Sequence, residues 1–144
     1  MLKTEQKNYY KEIYYGEIHV ATHVKPKYAP INLSFVTDDS KFLQLGMWNY
    51  PKGKELDNHF HKKFERSSFR TNEFVYVVRG KIKCDLYTED GVFITTVIVK
   101  KGEGILQHNF AHKYTILKKS IIIETKNGPY FGVEKDKQVI NEKQ

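Results

Sequence analysis

Two adjacent runs constrain this chain more than anything else in it. Glu73-Phe-Val-Tyr-Val-Val-Arg79 is dense in β-branched and aromatic side chains, while Lys81-Ile-Lys-Cys-Asp-Leu-Tyr87 alternates Ile82, Cys84 and Leu86 with Lys81, Lys83 and Asp85. The first composition favours a strand, and the strict alternation of the second gives a strand with one inward face. Gly80 separates them, so the pair reads as a hairpin. Further strands are expected at residues 14–24, 31–36, 42–48, 92–99, 113–117 and 121–125. Turn clusters punctuate them at Thr37-Asp-Asp-Ser40, Tyr50-Pro-Lys-Gly53 and Thr88-Glu-Asp-Gly91. The expectation is an all-β domain.

Length supports one domain over residues 1–144, large enough to bury a core. Residues 1–12 are polar with scattered aromatics and fit a loose arm, a short helix or an edge strand; residues 138–144 read as a mobile tail. The Val75-Tyr-Val-Val78 and Ile121-Ile-Ile123 runs are apolar on both strand faces. In a single-layer wall the second face needs a partner, which predicts a homodimer. The single Cys84 excludes an intramolecular disulfide and suits a reducing compartment. With no apolar run long enough for a bilayer, a cytoplasmic protein is expected. The net charge of +7 is spread along the chain among acidic residues, without a nucleic-acid-binding motif. It suits a small anionic ligand rather than nucleic acid or membrane.

The chemistry-bearing residues are His59, His61, Glu73 and His112. One residue separates His59 from His61, so in an extended segment both imidazoles project from one face. Glu73 opens the next strand, and His112 can reach the same cavity from another. Three imidazoles and a carboxylate suit one divalent transition-metal ion (Fe, Mn, Ni, Cu or Zn) with positions left open for water or substrate. His19 and His23 lack a motif and are read as exposed or structural.

The order Gly53, His59-x-His61, Glu73, Gly80 resembles the first motif of the cupin superfamily, with eleven residues between His61 and Glu73 where that family has three or four. Residues 62–72 are then an inserted loop, and Glu65, at the short spacing, is the alternative carboxylate. The second motif is matched less closely. Gln107 stands at its proline, Asn109 at its glycine, His112 at its histidine and Ile116 at its closing asparagine. Asn109 tolerates the left-handed backbone of a turn glycine. The ending Glu124-Thr-Lys-Asn-Gly-Pro-Tyr-Phe-Gly132 is similar to small single-domain cupins associated with bacterial surface-polysaccharide biosynthesis. This resemblance implies a double-stranded β-helix, or jelly-roll barrel, with His59, His61, Glu73 and His112 as metal ligands.

The expected function is a metal-binding cupin acting on a small polar molecule, such as a sugar or nucleotide sugar, by isomerase/epimerase-like or dioxygenase-like chemistry. The alternative is a non-catalytic carbohydrate-binding or regulatory module. No catalytic residue is assigned. Lys62, Arg66 and Arg70 on the inserted loop, with His108 and Tyr114, are substrate-binding candidates, since guanidinium groups grip phosphate and carboxylate. A metal-free barrel with a histidine base and tyrosine acid is a third, weaker reading.

Overall fold

The computed structural model describes residues 1–143. It is an all-β chain with antiparallel pairing throughout: β1 (Leu2–Lys7), β2 (Tyr10–Tyr15), β3 (Ile18–Val24), β4 (Asn32–Phe35), β5 (Gly46–Asn49), β6 (Glu73–Tyr87), β7 (Phe93–Lys100), β8 (Gly104–Gln107) and β9 (Ala111–Lys126). A 3-10 turn, Pro26–Tyr28, and one short helix, α1 (Val133–Asp136), complete it. The larger sheet runs β1-β2-β3-β8-β6-β7, with β9 on the far side of β6, and β4 pairs β5 in a separate two-stranded sheet.

β6 organises the sheet. Its first half pairs β8 and its second half pairs β7 along one edge, while β9 follows it from Glu73↔Lys126 to Tyr87↔Ala111 along the other. The expected break at Gly80 is therefore absent, and the two runs form one fifteen-residue strand rather than a hairpin. Gly80 serves a different purpose. It holds φ at 100°, and a Cβ there would meet the Ser120 side chain and stand 2.6 Å from the Lys119 carbonyl oxygen. The register with β9 shifts around it, so the glycine allows a bulged strand to bend against a close neighbour.

The inward set expected after Gly80 holds: Ile82, Cys84 and Leu86 are buried at 0–1% exposure and pack with Val77, Val99 and Ile105, while Asp85, expected outward, is buried as well, accepting from Thr96 and paired with Lys83. Burying each large apolar side chain contributes about 1.5–3 kcal/mol. A second cluster of Val24, Val36 and Met47, with Phe74 against it, seats the β4–β5 hairpin close to where residues 31–36 and 42–48 predict it.

Elsewhere the sequence expectations need correction. Of the three options open for residues 1–12, the structure takes the edge strand, β1, paired with β2. The strand expected at 14–24 is two, since Gly16, at φ 60°, turns the chain between β2 and β3. The left-handed residue between β8 and β9 is Phe110, at φ 69°, while Asn109 donates a hydrogen bond to the His19 carbonyl (2.9 Å). Of residues 138–144, expected as a mobile tail, Lys143 N–H donates to the Gly91 carbonyl and Glu142 pairs with Lys113, while Val139 is exposed and Gln144 lies outside the described residues. In the single chain Ile121 and Ile123 are half exposed.

Candidate functional site

The inner face of the β6–β8–β9 junction carries a polar cluster inside an apolar surround. Glu73 opens β6 directly opposite Gln107, the last residue of β8, and opposite Lys126 on β9. Asn72 fixes this junction. Its side-chain amide donates to the Gln107 and His108 carbonyls (3.2 and 2.8 Å), and its own N–H donates to the Asn127 side chain (2.7 Å). The start of β6 and the end of β8 are thereby held together.

The strongly curved β6–β9 pair brings His112 back to Glu73, with Nε2 3.4 Å from the Glu73 carboxylate. Glu73 is 6% exposed, and the His112 hydrogen bond, outweighing desolvation, holds its carboxyl below the usual range. His112 also stacks at a tilt against Tyr114, ring centres 5.1 Å apart. Gln107 Nε2 donates to the Tyr114 hydroxyl and to Cys84 Sγ, both at 3.2 Å. Burial pushes the Cys84 thiol up to about 12 and raises the Tyr114 phenol, so both stay protonated at neutral pH. The remaining amide atom, Gln107 Oε1, is the one buried side-chain nitrogen or oxygen among the described residues without a partner. An orphaned acceptor of this kind costs about 1–3 kcal/mol unless something donates to it or binds it.

A second polar cluster lies beyond His108. Thr22 Oγ1 is 3.0 Å from His19 Nε2 and 3.0 Å from His108 Nε2, and the two rings lie 4.1 Å apart. Desolvation keeps both imidazoles neutral, lowering His19 to about 4 and His108 to about 3. Tyr14 stacks on His19 at 4.6 Å. His108 lines a cleft of about 310 Å³ with Arg70, Asn72 and Lys41, and His19 lines one of about 530 Å³; Lys41, Ser40 and Asn109 border both. His23, also buried, meets the Glu103 carboxylate at 2.9 Å.

The structure thus divides the residues expected at one metal site. Glu73 and His112 meet; His59 and His61 do not join them. Those two lie in an irregular, exposed stretch, residues 51–71, their rings edge to face at 5.3 Å, with His59 Nδ1 bonded to the Asp57 carbonyl at 2.8 Å. That stretch is not the extended strand their spacing was read on. Glu65 is exposed there too, as are Lys62 and Arg66, the latter 3.6 Å over the Phe64 ring. Among the described residues no group of three or more His, Cys, Asp or Glu side chains is placed to hold a metal ion. Of the substrate-binding candidates, Arg70 and His108 share a cleft, and Tyr114 lies within the polar cluster. Sequence reasoning missed His19, Thr22 and Asn72 as participants. It noted Gln107 as a departure at a motif proline, which was the available signal.

Comparison with protein-family models, with curated proteins and with solved structures returns no match. No helix among the described residues is long and apolar enough to cross a membrane.

Proposed function

We propose that the chain is a cupin-like jelly roll that binds one divalent transition-metal ion at Glu73 and His112 and acts on a small polar, carbohydrate-related molecule in cell-envelope polysaccharide metabolism. The observation carrying this reading is the Glu73–His112 pair together with the side-chain amide oxygen of Gln107, the residue opposite Glu73, which has no partner. One carboxylate, one imidazole and one amide oxygen are donors that a borderline divalent ion accepts, and a reactive ion commonly keeps three protein ligands and an open position. The residues present fit such an ion to that extent. His59 and His61 remain candidate ligands on the 50–72 stretch.

When bound, the ion supplies Lewis-acid polarisation of a ligand carbonyl or hydroxyl. The chain's own groups do the rest. Tyr114, kept protonated by burial, offers a hydroxyl hydrogen beside His112. Arg70 lies in the cleft with His108 and gives a guanidinium to an anionic ligand group such as a sugar phosphate, once released from Glu89 (2.8 Å).

The division of the expected ligand set favours a second reading, a non-catalytic carbohydrate-binding or regulatory module in which an ion only orients the ligand. Elemental analysis after gentle purification tests the metal. About one ion per chain is expected, lost in a Glu73→Gln/His112→Ala variant. A wild-type chain free of metal even after reconstitution with Mn, Fe or Zn salts sinks the metal reading. Activity toward a panel of nucleotide-linked sugars, measured on the loaded protein, then separates enzyme from binding module.

A further inference from the structure

The two clefts beside the His19–His108 pair adjoin. Each ring borders one of them, the ring centres lie 4.1 Å apart, and Ser40, Lys41 and Asn109 border both, so the clefts are two arms of one groove. Its ends differ in charge. Among the described residues the arm of about 310 Å³ is bordered by Arg70 and Lys41 and by no carboxylate. The arm of about 530 Å³ is bordered by Glu12, Glu17 and Asp38, with Lys41 its one cation. In a chain of net charge +7, that excess of acid is a local inversion.

These charges are not consumed inside the protein. Among the described residues Glu12, Glu17, Asp38 and Lys41 take part in no ion pair. Glu12, on β2, accepts from the Tyr14 hydroxyl (3.3 Å) and stands directly opposite Glu5 on β1. Like charges in that position cost stability rather than contribute it. Desolvation, with Glu5 adding to it, pushes the Glu12 carboxyl up, as befits a carboxylate short of a counter-charge. His108 supplies an independent observation. It is 4% exposed and its Nε2 meets Thr22, yet among the described residues no hydrogen bond engages its Nδ1 at the wall of the smaller arm. A buried ring nitrogen left without a partner beside a cleft is an open position for a ligand.

We infer that the groove binds a small zwitterion, with its anionic group at Arg70 and Lys41, its protonated amine at Glu12 and Glu17, and a polar body along His19 and His108. An ammonium suits the acidic arm better than a metal ion. Among the described residues no three carboxylates or imidazoles are placed around one point, whereas a primary ammonium has three hydrogens that one or two carboxylates satisfy. The inference rests on the anion-binding reading of the Arg70–His108 cleft and not on the metal. An amino sugar phosphate and an amino acid share the required chemistry.

Isothermal titration calorimetry of the full chain at about pH 7 and low ionic strength tests it, with glucosamine 6-phosphate, glucose 6-phosphate and γ-aminobutyrate as probes. The amino sugar phosphate is expected to bind about 10-fold or more tighter than the matching hexose phosphate, through one added charge-assisted contact. Glu12→Gln/Glu17→Gln removes that preference and leaves the hexose phosphate unchanged, while Arg70→Gln weakens both sugars and keeps it. Tighter binding of γ-aminobutyrate than of the amino sugar phosphate supports the same charge pattern and assigns the ligand to the amino acids. Equal affinity for the two sugar phosphates, or a preference that survives Glu12→Gln/Glu17→Gln, overturns the inference and leaves the anion site standing. Binding of none of the probes at about 10 mM overturns both. Should the double variant melt early, Glu17→Gln alone, at an exposed position, is expected to lower the preference by about 3-fold or more.

Discussion

The β6–β8–β9 junction and the exposed stretch of residues 51–71 carry equal shares of the ligand pattern, and they differ in burial, pairing and secondary structure. At the junction, Glu73 is buried, paired with His112, and held by an asparagine that bonds three backbone or side-chain neighbours across two strands. In the stretch, His59 and His61 contact each other and a local carbonyl, with solvent around them. The lesson is that a spacing pattern specifies where donors stand in the chain, while the pairing of strands decides which of them meet. Perturbations of the sheet should therefore cost stability, and perturbations of the stretch should cost binding alone.

The largest expected effect sharpens the sheet side. His19 and His108 have folded pKa values of about 4 and about 3, against about 6.5 unfolded. Below pH 6.5 the unfolded chain takes up protons that the folded chain refuses, so stability falls as pH drops toward 4 and is level above 6.5. The slope is about 1.4 kcal/mol per pH unit for each histidine, a loss on the order of 6 kcal/mol for the pair by pH 4. Urea midpoints at constant ionic strength across that range check it, and a flat profile would show the pair to be solvated.

Next comes Gly80→Ala, expected to destabilise by about 3 kcal/mol through positive φ and collision with the Ser120 segment. Gly16→Ala is the control: φ is also positive, yet no atom lies within 4 Å of the new Cβ, so about 1 kcal/mol is expected. Thermal melts that rank these two in the reverse order would refute the close approach at Gly80. Between them falls Glu73→Ala at about 2 kcal/mol, since it removes a buried ion-pair partner from His112. The smallest effect breaks or keeps the comparison itself. A His59→Ala/His61→Ala variant should unfold within about 0.5 kcal/mol of wild type; a loss of several kcal/mol would mean these side chains are packed, and the contrast between regions would fail.

Much of the architecture was legible because strands announce themselves by period two. The inward parity of Ile82, Cys84 and Leu86, the β4–β5 hairpin and the turn at Thr88 to Gly91 all follow from that period. Gly80 was misread because a glycine between two strand-like runs signals a turn or a bulge with equal force, and only the neighbour at Ser120 decides. The site was half legible for a related reason. Glu73 is fixed by strand pairing that its own run predicts, whereas His59 and His61 needed an extended, paired segment, and no strand forms between β5 and β6. His108 was singled out as a substrate-binding candidate, but its pairing with His19 was invisible because it spans 89 positions of sequence and passes through a threonine that no motif contains.

That threonine has a consequence of its own. A hydroxyl carries a single hydrogen, so Thr22 can donate to only one of the two imidazole nitrogens it touches and must accept from the other. One ring is then the Nε2–H tautomer and its neighbour the Nδ1–H tautomer, and neither can change unless both do. The rings that border the two clefts are therefore unlike at any instant, one giving Thr22 a proton and the other taking one.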